Sequence, residues 1–171
     1  MKFTVHQLSE MSKQQFVESI GWVFEHSPWV AERAYGAKPF RSLSHLHLLM
    51  VRQVEEASEG ERLSLLRAHP DLAGRMKLTD ASQKEQRGAG LDRLSPEEFD
   101  EMTALNEAYV TRFGFPFIVA VRGLGKEEIL SAIRERVTHE KTDEFGRALS
   151  EVAKIARLRL EDIIKSGEAG E

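Results

Sequence analysis

The residues from Ser95 to Val121 read SPEEFDEMTALNEAYVTRFGFPFIVAV, a helix signal followed by an apolar run. Ser95 is a typical N-cap, Pro96 suits the first helical position, and Glu98 can bond back to the cap. Apolar residues then recur at helical spacing as far as Phe113, where Gly114 can adopt the left-handed conformation that ends a helix. We therefore predict a long helix over residues 96–113.

The apolar run 115–121 has the composition of a buried strand. The rest of the chain offers no second convincing strand, and a single strand is not stable without a pairing partner. We therefore predict a buried extended connector over residues 115–121. Because no sheet uses its backbone amides, we expect them to be available to a planar polar ligand.

The remaining apolar residues recur mostly at helical spacing, so the predicted class is all-α. We expect a single irregular bundle of about seven or more helices with one buried extended connector. One domain should span residues 1–171, with residues 166–171 as a mobile tail. The other predicted helices run from Ser12 to about His26, from Ser27-Pro28 to Gly36, from Ser42 or Ser44 through Val54, over 61–68 after Gly60, over 126–137, and from Thr142 through Ile164.

The composition is that of a globular protein, with 41% hydrophobic and 30% charged residues. A net charge of −4 provides no basic field for nucleic acid. The chain has no cysteine, which excludes thiolate nucleophiles and thiolate metal sites and suits a reducing compartment. We find no leader-like segment, no apolar run near the ~20 residues of a membrane span, and no terminal Ser-Lys-Leu address. The predicted location is the cytoplasm, with no membrane association.

His69 is the first candidate for chemistry. Pro70 disfavours helical geometry at the residue before it, so His69 should lie at the end of a helix. If residues 81–87 are helical, Ser82, Glu85 and Gln86 share one face of that helix. An imidazole can give or take a proton near neutral pH, and this face would supply an acceptor and neutral donors. From the residues alone, an ordinary helix end and a solvated polar face remain open as alternatives.

Several separated motifs, in this order, resemble those of the 2-oxo-4-hydroxy-4-carboxy-5-ureidoimidazoline (OHCU) decarboxylase family. The motifs are Phe24-Glu25-His26-Ser27-Pro28-Trp29, His69-Pro70-Asp71-Leu72-Ala73-Gly74, Ser82-x-x-Glu85-Gln86, Ala89-Gly90-Leu91, Leu105-Asn106-x-x-Tyr109-x-x-Arg112-Phe113-Gly114-Phe115-Pro116-Phe117-Ile118, and Lys154-Ile155-x-x-x-Arg159-Leu160. The resemblance covers nearly the whole chain. It implies an all-α homodimer that converts OHCU to (S)-allantoin, the last step of urate oxidation, with neither a metal nor an organic cofactor.

The resemblance also implies the roles of individual residues. His69 and Glu85 match catalytic positions, with His69 as the general acid. Substrate-binding positions match Pro70, Ser82, Gln86, Phe117, Ile118, Val119, Ala120, Val121 and Arg159. The competitor of Arg159 is Arg157, because two residues this close on a helix cannot face the same pocket. Asn106 and Arg112 are interpreted as supporting residues.

Three alternatives remain open at this point. The first is a metal site at His45 and His47. A spacing of two places them on different faces of a helix, so we predict no metal. We interpret them as one packed and one solvated histidine. A helical interaction module without catalysis would use His69-Pro70-Asp71 as a packing turn, as J-domains carry the same tripeptide. A lyase or hydrolase acting on a related ureido compound is the third reading.

Overall fold

The computed structural model describes residues 2–70 and 94–165. Within these two ranges the regular structure consists of eight α-helices and one short 3-10 helix, with no β-strand. An isolated parallel bridge joins Phe3 to Ile164. The predicted all-α class is therefore confirmed for this part of the chain, as is the predicted number of about seven or more helices. The predicted mobile tail at 166–171 lies outside the described residues.

The chain divides into two compact units, Met1–Ala68 with Ala153–Glu171 and His69–Val152. The helices of the first unit are α1 (Val5–Glu10), α2 (Lys13–Ile20), a 3-10 helix (Gly21–Val23), α3 (Trp29–Tyr35), α4 (Leu43–Glu55) and α5 (Glu59–Arg67). The second unit contains α6 (Pro96–Phe113) and α7 (Lys126–Arg136). The last helix, α8 (Lys141–Ile163), contributes residues to both units. A single domain over the whole chain stays a prediction.

Local capping starts most helices of the first unit. The side chains of Thr4, Ser12 and Ser58 each accept a backbone N–H from the residue three positions later, whose side chain bonds back to the cap. These reciprocal bonds satisfy donors that have no partner inside the helix. Helix α1 was not predicted, although Thr4 and Gln7 form the same pattern as Ser12 and Gln15.

Some predicted helix bounds were wrong. The helix that begins after Ser12 ends at Ile20 rather than near His26, and a 3-10 turn follows. At Gly21 an added Cβ would lie 3.2 Å from Val17 Cγ1 and 3.6 Å from the Pro28 backbone, so this close approach suits glycine.

Other bounds differ by one or two residues. Gly60 does not separate two helices but lies in the first turn of α5, because Ser58 caps that helix. Pro28 is the N-cap of α3 rather than its first residue, and Ser42 rather than Ser44 caps α4. The predicted last helix begins at Lys141, just before Thr142.

Glu61 links two helices of the first unit. Its carboxylate pairs with the Arg33 guanidinium and accepts the backbone N–H of Ser58. These hydrogen bonds, that of Arg33 foremost, lower the pKa of Glu61 to about 2. A carboxyl whose pKa is lowered by folding stabilises the folded state above its unfolded pKa, and this contribution is lost as the pH falls toward 2.

We therefore expect Glu61→Gln to lower the unfolding temperature at pH 7 and to reduce the decline of that temperature between about pH 5 and pH 2. Glutamine preserves the cap, so the change removes mainly the charge. Thermal unfolding followed by circular dichroism across this pH range measures both effects. Glu59→Gln, in the same turn of α5, is the matched control. Equal pH profiles for Glu61→Gln and the unchanged protein would contradict the expectation.

The second unit follows the predicted course closely. Ser95 and Glu98 form the expected capping box of α6, and Gly114 ends the helix with φ of 81°. Residues 116–121 have neither helical nor strand structure, and most of their side chains are buried, which confirms a buried connector outside any sheet. The ring of Tyr109 packs edge-on against Phe115 and Phe117, with centroid distances of 5.8 and 5.3 Å. The aromatic part of the connector is thus fixed against α6.

Candidate active site

His69 follows α5 directly, as predicted. The helix ends at Arg67, and the backbone N–H of the cap residue Ala68 bonds back to the carbonyls of Ser64 and Leu65. His69 is only 5% exposed, and the Pro70 beside it is half-buried. A solvated helix end would leave the ring in water. The burial of His69 therefore excludes a solvated ring, and its catalytic role stays a prediction.

The polar face predicted opposite His69 lies outside the described residues. Ser82, Glu85 and Gln86 all belong to the range 71–93. Their roles, and the pairing of Glu85 with His69, stay predictions. Of the predicted site residues, the structure describes only His69, Pro70, the connector and Arg159, and their roles also stay predictions.

Buried charged residues hold the backbone of the connector in the second unit. The carbonyl of Ile118 accepts a hydrogen bond from Arg136 Nη1 at 2.6 Å, and the guanidinium lies over the Phe117 ring, 4.4 Å from its centroid. The backbone N–H of Ala120 donates to Glu151 Oε1 at 2.9 Å. These side chains provide hydrogen bonds that a neighbouring strand would provide in a sheet.

One expectation about the connector was therefore wrong. We expected its amides to be unused by the protein, but the N–H of Ala120 is donated to Glu151. Each amide has one hydrogen to donate. A contact of Ala120 with a ligand must use another of its atoms. The predicted contacts of Phe117, Ile118, Val119 and Val121 stay predictions.

Arg136 is itself held by a buried carboxylate, that of Glu144. Arg136 is 1% exposed and Glu144 0% exposed, and Arg136 Nε and Nη2 lie 2.8 and 2.6 Å from Glu144 Oε2. Tyr109 donates its hydroxyl to the same oxygen, and His139 Nδ1 lies 3.0 Å from the other carboxylate oxygen. Burial raises the pKa of Tyr109, and the bond to Glu144 raises it further, so the hydroxyl stays protonated.

Sequence reasoning missed this cluster. Arg136 and Glu144 lie near helix ends, where charged residues are common and usually solvated. Arg112, which belongs to the aromatic motif, donates from Nε and Nη2 to the His139 carbonyl at 3.2 and 2.8 Å, and Asn106 is buried. The contact of Arg112 and the burial of Asn106 are compatible with the supporting role that we expected, which stays a prediction for both residues.

The two competing arginines of α8 have different surroundings. Arg159 is 3% exposed, and its Nη2 lies 3.0 Å from Glu25 Oε1 within the first unit. Arg157 is partly exposed and bonds Glu161 at 2.9 Å and Ser44 at 2.8 Å. Buried, paired arginines such as Arg159 are typical of ion pairs and of recognition sites, whereas the contacts of Arg157 are those of a surface residue.

The histidine pair of α4 is packed rather than arranged for a metal. His47 Nε2 lies 2.8 Å from the Ala153 carbonyl, and His45 Nδ1 accepts the backbone N–H of Arg41 at 3.1 Å. Both are partly exposed, and His47 is the more enclosed of the two. Partial burial is the main cause that lowers the pKa of each ring. Among the residues in the two described ranges, no three His, Asp or Glu side chains are grouped as metal ligands would be.

No helix in the described part of the chain combines the length and apolar character that a bilayer crossing requires.

Comparison with known proteins gives a consistent result. Residues 9–161 match the family model described as OHCU decarboxylase. A protein of Haloferax volcanii named 2-oxo-4-hydroxy-4-carboxy-5-ureidoimidazoline decarboxylase is 46% identical over 165 residues, which cover 96% of this chain and 98% of that protein. A protein of the same name from Halalkalicoccus jeotgali is 45% identical, with 95% and 92% covered.

A longer relative and two solved structures extend the comparison. The uric acid degradation bifunctional protein PucL of Bacillus subtilis is 44% identical, and the match covers 95% of this chain and 33% of that protein. The crystal structure of an (S)-allantoin synthase superposes with a TM-score of 0.77 at 33% identity, and the match covers 95% of this chain and 54% of that one. An OHCU decarboxylase crystallised with (S)-allantoin superposes with a TM-score of 0.66 at 23% identity, covering 78% and 89%, and supports the fold alone.

Proposed function

The chain belongs to the OHCU decarboxylase family, and we propose that it is a carboxy-lyase that converts OHCU to (S)-allantoin in the degradation of urate. The observation that carries this proposal is identity of 46% with a relative of that name over 98% of the relative's length. The burial of His69 at the end of α5 supports it further.

The reaction requires two things of the protein. OHCU carries a carboxylate and a hydroxyl on one ring carbon, and loss of CO2 leaves the bonding electrons on the ring. Hydrogen-bond donors must stabilise the charge that develops there, and a proton must reach one face of the new carbanionic carbon. The first requirement controls the rate, and the second controls which enantiomer of allantoin forms.

His69 is the group that we assign to proton delivery. Its imidazole can hold a proton near neutral pH and release it to carbon, and Pro70 lines the site beside it. Glu85 raises the basicity of the imidazole, fixes its tautomer, or accepts the hydroxyl proton of the substrate. Ser82 and Gln86 bond the ureido arm and the ring, since hydroxyl and amide groups serve both donors and acceptors of a neutral urea.

The connector and Arg159 complete the proposed set of substrate contacts. Phe117 covers the ring of the substrate, and residues 118–121 contact it mainly through backbone groups. The bonds from Arg136 and Glu151 support this role, because they fix the connector before any ligand arrives. Arg159 offers two parallel N–H donors to an oxygen-bearing group of the substrate.

The direct test uses freshly generated OHCU and purified protein in a buffer that contains a metal chelator. We expect decarboxylation faster than the spontaneous reaction, without added metal or organic cofactor, and a product that rotates polarised light, because the protein protonates one face only. Heat-denatured protein is the control. With it, the reaction should proceed at the spontaneous rate and give racemic allantoin. A rate that native protein does not change would disprove the proposed activity. If the protein accelerates the reaction without chelator but not with it, the reaction requires a metal and the proposal of a metal-free enzyme is wrong.

We further propose that the chain folds as a single domain and that two copies associate as a homodimer. We expect this dimer in the cytoplasm. Among the described residues, the exposed large apolar side chains are Trp22, Leu48, Phe99 and Val110. Such side chains mark a surface that a second subunit covers where they form one continuous patch. Light scattering should give twice the chain mass of 19.4 kDa, and a mass of one chain would disprove the dimer. Fractionation of cells that produce the protein tests its compartment.

A further inference from the structure

Glu25 has no role in the proposed mechanism, although it lies in the motif from Phe24 to Trp29. The residue belongs to no helix and follows the 3-10 turn Gly21–Val23. Its carbonyl accepts the hydroxyl of Ser27 at 2.9 Å, and the next residue, His26, has φ of 47°. A side-chain-bearing residue rarely adopts this left-handed conformation. The local chain path therefore favours one particular placement of Glu25.

The placement brings Glu25 to Arg159 inside the first unit. Glu25 is 2% exposed, its Oε1 lies 3.0 Å from Arg159 Nη2, and Arg159 Nη1 lies 3.4 Å from the Val23 carbonyl. The exposed Trp22 ring lies 5.9 Å from the guanidinium carbon. The Glu25 carboxylate and the Val23 carbonyl thus hold two nitrogens of the planar guanidinium, and the Trp22 ring lies near its central carbon.

The ion pair places the Glu25 carboxylate against Arg159, which changes what Arg159 can recognise. An unpaired buried guanidinium would bind the carboxylate of the substrate most strongly. A guanidinium neutralised by Glu25 offers directed N–H donors with a much weaker field, and such donors suit a neutral carbonyl oxygen.

The chemistry of decarboxylation also favours a carbonyl oxygen, rather than the carboxylate, as the partner of Arg159. Negative charge leaves the carboxylate and moves onto the ring as CO2 departs. An arginine bound to the carboxylate would stabilise the ground state more than the transition state and would slow the reaction. An arginine bound to a ring or ureido carbonyl would stabilise the charge as it develops.

We propose that Glu25 is a positioning residue that orients Arg159 and cancels its charge, so that Arg159 binds a neutral carbonyl of the substrate rather than its carboxylate. This inference rests on the proposed function. It makes Glu25 a determinant of specificity without direct contact between Glu25 and the substrate.

The test compares Glu25→Gln with the unchanged protein. Dissociation constants are measured by calorimetry for (S)-allantoin, which is neutral, and for hydantoin-5-acetate, which is an anion with a similar ring. Glutamine preserves the size of the side chain and removes its charge. We expect the affinity for the anion relative to the neutral ligand to rise about tenfold or more. We also expect kcat for OHCU to fall by about tenfold or more without a rise in KM.

The matched control is Glu161→Gln, which removes the carboxylate partner of Arg157 on the same helix. Its affinity ratio and kcat should equal those of the unchanged protein. An unchanged affinity ratio in Glu25→Gln would overturn the inference. A general loss of structure would instead weaken the binding of both ligands together and would not raise the anion preference.

Glu25→Asp keeps the charge and withdraws the carboxylate by one methylene. We expect an unchanged affinity ratio and a lower kcat, because the guanidinium is no longer held in its plane. If Glu25→Gln does not fold, Glu25→Asp alone tests the positioning role. A kcat of Glu25→Asp equal to that of the unchanged protein would overturn this role. If the unchanged protein fails to accelerate decarboxylation, the proposed function fails, while the calorimetric ratio still tests the effect of Glu25 on Arg159.

Discussion

His69→Asn is expected to lower kcat for OHCU by about 10²- to 10⁴-fold while the protein stays folded. Asparagine is smaller than histidine but retains hydrogen-bonding groups near the position of Nδ1, so the fold at the end of α5 should be preserved. It cannot deliver a proton to carbon near neutral pH, because its amide does not titrate there. Residual activity would come from substrate binding and from stabilisation of charge on the ring.

Three measurements check this expectation. Initial rates give kcat, circular dichroism and thermal unfolding report the fold, and optical rotation reports the enantiomeric purity of allantoin. Product formed by His69→Asn should be racemic, since spontaneous protonation has no preferred face. His47→Asn is the matched control, because His47 is half-buried and bonds a backbone carbonyl elsewhere in the chain. A His69→Asn variant that keeps kcat within tenfold would refute the assignment of His69 as general acid.

Arg136→Met should have the largest effect on stability. Methionine fills much of the space of arginine but leaves the buried Glu144 carboxylate without its arginine partner. Breaking a buried ion pair by removal of one partner typically costs about 3–5 kcal/mol. The change also removes the bond to the Ile118 carbonyl, so the connector loses one of its fixed points. We therefore expect lower activity in the variant even under conditions where it remains folded.

Denaturant unfolding monitored by tryptophan fluorescence and circular dichroism measures the free energy of unfolding. The matched control is Arg134→Met, two residues earlier on α7, where the exposed arginine pairs with Glu101. Exposed pairs contribute about 0.2–1 kcal/mol. The double variant Arg136→Met with Glu144→Leu should recover part of the loss, because it removes the uncompensated charge. A loss in Arg136→Met no larger than that in Arg134→Met would show that the buried pair does not stabilise the fold.

The helix pattern could be predicted where its signals are local. Ser95 and Glu98 start α6, Gly114 ends it, and both act through bonds within a few residues of the helix end. The end of α5 before His69 follows in the same way from Pro70. Where the prediction was wrong, as at Ile20, apolar residues continue at helical spacing although the chain turns into a 3-10 helix.

The candidate site was predictable in part. Motif order pointed to His69, the connector and Arg159, because these residue types carry recognisable chemistry. The buried partners Glu25, Arg136, Glu144 and Glu151 were not found, since a glutamate or arginine on a helix or turn looks the same in sequence whether it is solvated or buried. Ala120 shows the consequence, because its amide looked available until the position of Glu151 was known.

Neighbouring residues therefore account for the helical class, most helix ends and the unpaired connector, because capping, glycine and proline effects act over a few residues. Packing of distant residues decides which charges are buried. Glu25 and Arg159 are separated by most of the chain, and only the folded protein brings them to 3.0 Å. The free energy of such a pair depends on its removal from water, and removal from water is a property of the assembled core.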